Sequence, residues 1–208
     1  MISQEKPKPW HRLHPLLSQT DIDSRINEMA IAASIRYGDD NPIFLIVDDG
    51  AREFGNKFLE VAAENGLVFE RASITVKSMV GKDQGELTIT KPYEGPKREG
   101  RKIVVLEDIV DTGNTIDFII EKLSPFAPSV IEAIALFAKD ERREIDVSKR
   151  LADVGFDVFG FVVGYNIDYD NLYREVRGLW LVKFWPDSWN KWWDFFFPKK
   201  PVRLSSPI

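Results

Sequence analysis

The chain has 208 residues, 44% of them hydrophobic, which suits one ordinary domain with a core large enough to fold independently. The 33 acidic residues outnumber the 28 basic ones, and a net charge of −5 argues against a protein dedicated to duplex DNA. Cysteine is absent and the two histidines are His11 and His14, which excludes disulfides, thiolate metal sites, thiol nucleophiles and a histidine triad in the body of the domain.

The first third of the chain predicts two helices around a buried strand. A capping box of Thr20 and Asp23 begins a helix that Gly38 ends. The residues 43–47 form an all-apolar run that is typical of a strand in a buried parallel sheet. A second helix follows as far as Glu64, where an Asn-Gly pair predicts its end.

The rest of the chain predicts an alternation of strands and helices. Apolar runs predict strands at residues 68–76, 103–106, 130–137, 162–165 and 179–182, with a helix that ends at Leu123. Residues 78–100 are polar and predict a long loop, with a hairpin around residues 87–89 as an option. Alternating strands and helices predict an α/β fold with a mainly parallel sheet, in which ligands bind beyond the carboxyl ends of the strands.

The segment with the clearest chemistry is VVLEDIVDTGNT, residues 104–115, which leads from an apolar strand into a helix. Its small residues and the open amides at the helix start can hold a phosphate, which the helix dipole also favours. The carboxylates of Glu107, Asp108 and Asp111 must then face sugar hydroxyls, a Mg²⁺ ion or a proton to be moved. Spacing alone fits a solvated acidic turn with a Thr/Asn cap equally well.

The same segment resembles the phosphoribosyl-pyrophosphate (PRPP) signature of the type I phosphoribosyltransferases. Three further segments resemble the hypoxanthine–guanine branch: VKSMVGKDQGELTI its flexible loop, LFAK its purine-reading strand end, and GFDVFGFVVGYNIDYDNLYRE its base-binding segment. Their order and spacing agree from about Leu17 to Val182. The resemblance implies an α/β fold with a mainly parallel central sheet flanked by helices and a small hood. It also implies transfer of 5-phosphoribosyl from PRPP to a 6-oxopurine, giving a nucleoside monophosphate and pyrophosphate.

The resemblance further implies which residues contact PRPP. Glu107 and Asp108 match the acids that hold the ribose hydroxyls, directly or through Mg²⁺ and water. Asp111 matches the general acid/base near purine N7. The residues implied at the phosphates of PRPP are Asp111, Thr112, Gly113, Asn114, Thr115, Gly50 and Arg174.

A second group of residues matches the purine end of the site. Lys139 would donate to the 6-oxo group, Phe161 would stack on the base, and the backbone of Val162 would read its edge. Asp168, beside the base, would bind a second Mg²⁺, so that the implied metal ligands are Glu107, Asp108 and Asp168. Without the resemblance, we would expect Phe161 and Val162 to be ordinary core residues, Lys139 and Arg174 to be surface charges, and Asp168 to cap a turn. A pyrimidine specificity is disfavoured by the lysine and the phenylalanine.

Two positions depart from the branch. Its Leu-Lys-Gly-Gly type turn grips pyrophosphate, whereas this chain has Asp48-Asp49-Gly50-Ala51-Arg52. An acid there is expected to repel pyrophosphate by roughly 1 kcal/mol or more per close pair, unless Mg²⁺ bridges or Arg52 swings in. In the flexible loop, Ser78-Met79 replaces the usual Ser-Tyr, and methionine lacks a hydroxyl and an aromatic face. The alternative function is a non-catalytic or weakly catalytic regulatory protein that senses a nucleotide or PRPP.

The C-terminal extension is rich in aromatic residues. Trp189, Trp192, Trp193 and Phe196 fall at helical spacing, and so many rings are not expected to lie in water. We expect them to pack on their own domain or in a homo-oligomer, to bind another protein, or to contact a membrane interface. Net charge disfavours stacking on single-stranded nucleic acid.

The sequence predicts three parts of the chain: a loosely structured arm (1–18), a phosphoribosyltransferase domain (19–183) and the aromatic-rich extension (184–208). No apolar run of about 18 residues and no signal-peptide pattern occurs, so we expect a cytoplasmic protein. The expected partners are PRPP, a purine base or nucleoside monophosphate, and further copies of the chain, but not duplex nucleic acid.

Overall fold

The computed structural model describes residues 11–78, 86–169, 172–184 and 202–204. Helices and strands follow one another along these residues. In chain order they are β1 (His11–Leu17), α1 (Gln19–Tyr37), β2 (Ile43–Asp48), α2 (Arg52–Glu64), β3 (Glu70–Ser78), β4 (Leu87–Glu94), β5 (Lys102–Val110), α3 (Asn114–Leu123), β6 (Val130–Ala138), β7 (Leu151–Val158), β8 (Val162–Val163), β9 (Leu179–Phe184) and β10 (Val202–Leu204).

The central sheet contains seven strands in the order β10-β7-β6-β5-β2-β3-β4. The five inner strands are parallel, whereas β10 and β4 run antiparallel to their neighbours at the two edges. The predicted α/β fold with a mainly parallel sheet is therefore confirmed. The carboxyl ends of the parallel strands meet at one edge, where ligands bind in folds of this kind.

Both faces of the sheet are covered by helices. In β2, Phe44 and Ile46 pack in a core with α1 and α2, whereas Ile43 and Leu45 pack in a second core with α3. A strand with two covered faces has no solvent side, so every residue of the run 43–47 is apolar.

A second, antiparallel sheet of three strands, which we call the hood sheet, has the order β1-β9-β8. The prediction of a loosely structured arm is wrong for residues 11–17, because β1 pairs with β9 from His11↔Phe184 to Leu17↔Leu179. The partner strand lies near the other end of the chain, so no local pattern could reveal this pairing.

The capping box of α1 lies two residues earlier than predicted. Ser18 Oγ accepts a hydrogen bond from Asp21 N at 3.1 Å, and the Asp21 carboxylate accepts one from Ser18 N at 2.9 Å. Thr20 and Asp23 have the same three-residue spacing, so the motif alone could not distinguish the two starts. The end of β1 at Leu17 decides between them, because it leaves Ser18 in an extended conformation.

Besides β1, three further strands differ from the sequence prediction. The loop predicted over residues 78–100 is wrong for β4, which pairs with β3 from Ser78↔Leu87 onward, and the optional hairpin is confirmed. β7 was not predicted, although its buried residues Ala152, Val154, Phe156 and Val158 alternate in the period of a strand. β10, which is residues 202–204 of the C-terminal extension, pairs with β7 at the edge of the central sheet.

The aromatic positions of the extension (Trp189, Trp192, Trp193 and Phe196) lie outside the described residues. The division of the chain at residues 18 and 183 stays a prediction. Of the helices that the structure describes, none combines the length and the hydrophobicity needed to cross a membrane.

Candidate active site

A cleft of about 440 Å³ lies at the carboxyl ends of β2, β3 and β5. Its walls also include the first turn of α3 and the segment between β8 and β9. The predicted site residues that line it are Gly50, Glu107, Asp108, Thr115, Asp168 and Arg174. The other described candidates occupy the adjoining ends of β5 and β6 and the beginning of β8; they are Asp111, Thr112, Gly113, Asn114, Lys139, Phe161 and Val162.

Two buried carboxyl groups form the floor of the cleft. Glu107 and Asp108 lie within β5 itself and are only 6% and 8% exposed. Burial raises the pKa of both carboxyls, and the adjacent charge of Asp108 raises the pKa of Glu107 further. Glu107 Oε2 has no hydrogen-bond partner within the described part of the chain. A buried acceptor without a partner is unfavourable, and it can be satisfied by a ligand that enters the cleft.

The turn after β2 approaches this acid pair closely. A Cβ atom on Gly50 would collide with the carboxylate of Asp108, so a larger residue at this position would have to displace that side chain. The adjacent Asp48–Asp49 peptide bond is cis. The predicted PRPP contact Gly50 is thus brought against the predicted ribose contact Asp108.

The raised pKa of Glu107 leads to a prediction about stability without ligand or metal. The unfolded chain releases this proton near the ordinary carboxyl value of 4.5, whereas the folded chain holds it to a higher pH. The free energy of unfolding therefore falls as pH rises from that value through the raised pKa of the folded chain. We expect Glu107→Gln to raise the melting temperature at pH 7 by about 2–4 °C, corresponding to about 1 kcal/mol, and to change it little near pH 4.

Glu60→Gln is the matched control for this measurement, because Glu60 is exposed on α2. Thermal unfolding in the presence of a chelator would show no gain for the control at either pH. An equal gain for Glu107→Gln at both pH values would contradict a retained proton on Glu107.

The turn between β5 and α3 leaves backbone N–H groups open for a ligand. Gly113 adopts φ 91°, a left-handed conformation that favours glycine, and α3 begins at the next residue. The hydrogen bonds of the described residues use none of the N–H groups of Thr112, Gly113 and Thr115. Open amides at the positive end of a helix can hold a phosphate group.

Asp111 and Lys139 follow directly on the neighbouring strands β5 and β6. Lys139 N donates a hydrogen bond to Val110 O at 2.9 Å, which holds the two strand ends together. Lys139 is only 5% exposed, so it is not an ordinary surface charge, and burial lowers its pKa while the charge of Asp111 opposes this effect. Asp111 Oδ2 forms an ion pair with Arg142 Nη1 at 3.0 Å.

The beginning of β8 presents an aromatic ring and an open strand edge. The ring of Phe161 lies 5.3 Å from that of Tyr169, nearly perpendicular to it. Phe161 O accepts a hydrogen bond from Val182 N, so the next pair, Val162↔Leu181, is the one that does not exchange hydrogen bonds. Since β8 is the edge of the hood sheet, the backbone N–H and C=O of Val162 face away from β9.

Asp168 and Arg174 line the cleft and form an ion pair, with 2.9 Å between Oδ1 and Nη2. Nowhere in the described ranges do three or more Asp, Glu or His side chains come together as a possible metal site. Mg²⁺ is commonly held by one or two carboxylates together with phosphate oxygens of a substrate. The unpartnered Glu107 Oε2 and the cleft-lining Asp168 fit that smaller donor set.

The acidic turn after β2 is paired with two cations. Arg52 Nε lies 3.0 Å from Asp48 Oδ1, Arg52 Nη2 lies 3.4 Å from Asp49 Oδ1, and Lys77 Nζ lies 3.5 Å from Asp49 Oδ2. Sequence reasoning missed Lys77 and Asn166 as cleft residues. Lys77 could have been found from its position in the flexible-loop segment, directly before Ser78. Of the two predicted flexible-loop residues, Ser78 is the last residue of β3, and Met79 lies outside the described residues.

The sequence and the structure are similar to those of known enzymes. The family model described as "Phosphoribosyl transferase domain" matches residues 17–170. The hypoxanthine-guanine-xanthine phosphoribosyltransferase of Tritrichomonas foetus is 33% identical over 175 residues, covering 81% of this chain and 90% of that protein. The hypoxanthine-guanine phosphoribosyltransferase of Streptococcus thermophilus is 31% identical over 172 residues, covering 81% of this chain and 92% of that protein. A solved structure of a hypoxanthine-guanine-xanthine phosphoribosyltransferase has a TM-score of 0.71 at 30% identity, covering 82% of this chain and 96% of that one.

Proposed function

This chain belongs to the phosphoribosyltransferase family of enzymes, and we propose that it transfers the 5-phosphoribosyl group of PRPP to hypoxanthine, guanine or xanthine. The products are a nucleoside monophosphate and pyrophosphate. The observation that carries the proposal is one juxtaposition: the carboxyl pair Glu107–Asp108 in β5 and the open amides of Thr112, Gly113 and Thr115 lie on one strand-to-helix segment.

The PRPP side of the reaction follows from these groups. The amides of residues 112–115 hold the 5′-phosphate, and Glu107 and Asp108 hold the ribose hydroxyls. The bond from C1′ to pyrophosphate breaks while the bond from C1′ to the purine nitrogen forms, through a transition state with positive charge on the sugar. The positive charge favours the ionised form of the buried carboxyl pair over the protonated form of the ligand-free cleft. The ionised pair then stabilises that charge, because electrostatic interactions are strong where water is excluded.

The purine side uses the strand ends next to the cleft. Asp111 accepts the proton that the purine loses at N7, and Lys139 donates to the 6-oxo group. Phe161 stacks on the base, while the open backbone of Val162 reads its edge. The discrimination between an oxo and an amino group at position 6 then depends on the lysine, which has only hydrogen-bond donors to offer.

Glu107, Asp108 and Asp168 are the residues that would hold Mg²⁺ together with the phosphates of PRPP. The ion would neutralise the charge of the departing pyrophosphate. Assembly into a homo-oligomer, and a role of the aromatic extension in binding a subunit or another protein, stay proposals from the sequence.

The direct test combines the purified chain, PRPP, Mg²⁺ and each of hypoxanthine, guanine and xanthine, with nucleotide formation as the readout. We expect turnover with at least one of them. Absence of turnover with all three purines would contradict the proposed activity.

Asp48 and Asp49 favour a second candidate function, a regulatory protein that binds PRPP or a nucleotide with little or no catalysis. Both acids line the part of the cleft where the resemblance places pyrophosphate. Calorimetry separates the two candidates: PRPP binding without product formation supports the sensor, and binding with turnover supports the enzyme.

The acid at position 49 leads to a prediction about PRPP affinity. Asp49→Asn removes a negative charge from the cleft wall and releases Lys77 from its acidic partner, while Arg52 keeps its ion pair with Asp48. We expect the KM for PRPP to fall about fivefold at constant Mg²⁺, which corresponds to about 1 kcal/mol. Asp39→Asn is the control for net charge, because Asp39 is exposed at the end of α1. A KM that stays constant or rises in Asp49→Asn would show that this acid does not oppose PRPP.

A further inference from the structure

The loop that follows β6 connects the two halves of the site. We call residues 140–145 the positioning loop. At its distal end, Glu144 N and Ile145 N both donate hydrogen bonds to Thr112 O, at 2.9 and 3.0 Å, and Asn114 Nδ2 donates to Glu144 Oε2 at 2.8 Å. These three bonds fasten the loop to the turn that begins α3.

The proximal part of the positioning loop reaches the other half of the site. Glu141 Oε1 accepts a hydrogen bond from Gly160 N at 2.7 Å, immediately before Phe161. The loop therefore bridges the turn proposed to hold the phosphate and the segment proposed to hold the purine. A bridge of this kind can fix side chains that lie between its two anchors.

Arg142 lies between those anchors and forms an ion pair with Asp111. Its Nη1 is 3.0 Å from Asp111 Oδ2, whereas Asp111 Oδ1 is buried and makes no hydrogen bond with any described residue. The guanidinium thus binds one oxygen of the carboxylate and leaves the acceptor capacity of the other unused. The side chain of Arg142 is 58% exposed, and an ion pair as exposed as this contributes little to stability.

We propose that Arg142 is a positioning residue for Asp111, which it orients for proton transfer to and from the purine. The inference rests on the proposed function, in which Asp111 is the group that takes the proton. A general base works only from a narrow range of distances and angles, and a carboxylate at the end of a turn can rotate about its side-chain bonds. Tethering Oδ2 restricts that rotation, while the bonds of Glu141, Glu144 and Ile145 hold the loop backbone that carries Arg142.

The sequence context agrees with a dedicated tether. Asp111 lies at the carboxyl end of β5 and the positioning loop begins one residue after Lys139, so the ion pair spans two adjacent parallel strands. Lys139, a second cation near Asp111, is buried and is assigned to the purine 6-oxo group. The exposed Arg142 is therefore the cation that can hold Asp111 without leaving the purine.

The test compares the steady-state kinetics of Arg142→Ala and Arg142→Lys with those of the wild-type enzyme, with purine and PRPP each varied up to saturation. We expect kcat to fall about tenfold in Arg142→Ala, with both KM values changed less than about threefold, because transition-state geometry is lost while substrate contacts remain. Arg142→Lys keeps a cation on a long side chain and is expected to recover most of the lost kcat. The melting temperatures of both variants should match that of the wild type.

Arg36→Ala is the matched control, because Arg36 also forms an exposed ion pair, with Glu132 at 3.1 Å near the amino end of β6, away from the cleft. It should leave kcat unchanged. A kcat for Arg142→Ala within twofold of wild type, or above it, overturns the inference, as does a raised KM at constant kcat or a lysine variant as slow as the alanine variant. Absence of wild-type turnover overturns the proposed function together with the inference, whereas wild-type turnover with an unaffected Arg142→Ala overturns the inference alone.

Discussion

Asp111→Asn is expected to lower kcat by about 10²–10⁴-fold, the usual contribution of a positioned general acid or base. Asparagine has nearly the same shape as aspartate but cannot accept the proton that the purine loses. The substitution leaves the open amides of Thr112, Gly113 and Thr115 in place, so the affinity for PRPP should change only a few-fold. Steady-state kinetics with the preferred purine, together with calorimetric titration of PRPP, measure the two effects separately.

Asp117→Asn is the matched control for this experiment. Asp117 lies in the first turn of α3 and is exposed, so its substitution removes the same charge from the same helix terminus. The control should retain full turnover. If Asp111→Asn kept wild-type kcat, the assignment of proton transfer to Asp111 would be wrong; a large loss in both variants would point to the field of the helix terminus instead.

The second large effect is expected from Gly113→Ala. Gly113 has a φ of 91°, and a Cβ atom there would collide with the carbonyl oxygen of Ile145 in the positioning loop. Backbone atoms on both sides cannot yield easily, so the turn and the loop must separate. We expect PRPP to bind at least about tenfold more weakly, and stability to fall by about 1–3 kcal/mol through backbone strain. Calorimetry and thermal unfolding measure these two quantities.

Gly66→Ala isolates the collision from the backbone conformation. Gly66 follows α2 with a φ of 83°, and nothing lies within 4 Å of the position that its Cβ would take. It should cost only about 1–2 kcal/mol for the left-handed backbone and leave PRPP binding unchanged. Equal affinities of Gly113→Ala and the wild type for PRPP would show that the turn does not hold the phosphate.

The location of Glu107 and Asp108 could be predicted from the sequence, but their electrostatic environment could not. Glu107 and Asp108 stand out in the sequence because two charges follow an apolar run, and the resemblance implies a ribose site there. Glu107 and Asp108 are buried within β5, one oxygen of Glu107 has no partner among the described residues, and the pKa of both carboxyls is raised. The walls around them come from the turn after β2 and from the segment between β8 and β9. Those walls come from distant parts of the chain, so the electrostatics of the pair could not be read from its neighbours.

The acidic turn that departs from the family pattern was also only partly predictable from the sequence. From the sequence, Asp49 is predicted to be an unfavourable replacement for a lysine, and Arg52 is a candidate for the compensating cation. It did not identify Lys77, which reaches Asp49 because β2 and β3 are paired in the sheet. Arg142 likewise has no distinguishing pattern in the sequence, because its position depends on the hydrogen bonds that join the loop to the turn at Thr112.

The class of fold and the order of the helices and strands are predictable from local patterns: apolar runs of strand length, helical periodicity and breaks at turn residues. The family resemblance adds six of the residues that line the cleft. The pairing of residues 11–17 with β9, the burial of Lys139 and the contact between Arg142 and Asp111 arise only in the folded chain. The physical reason is that burial and ion pairing depend on which distant segments meet in space, and strand pairing sets those meetings through hydrogen bonds that any backbone can form.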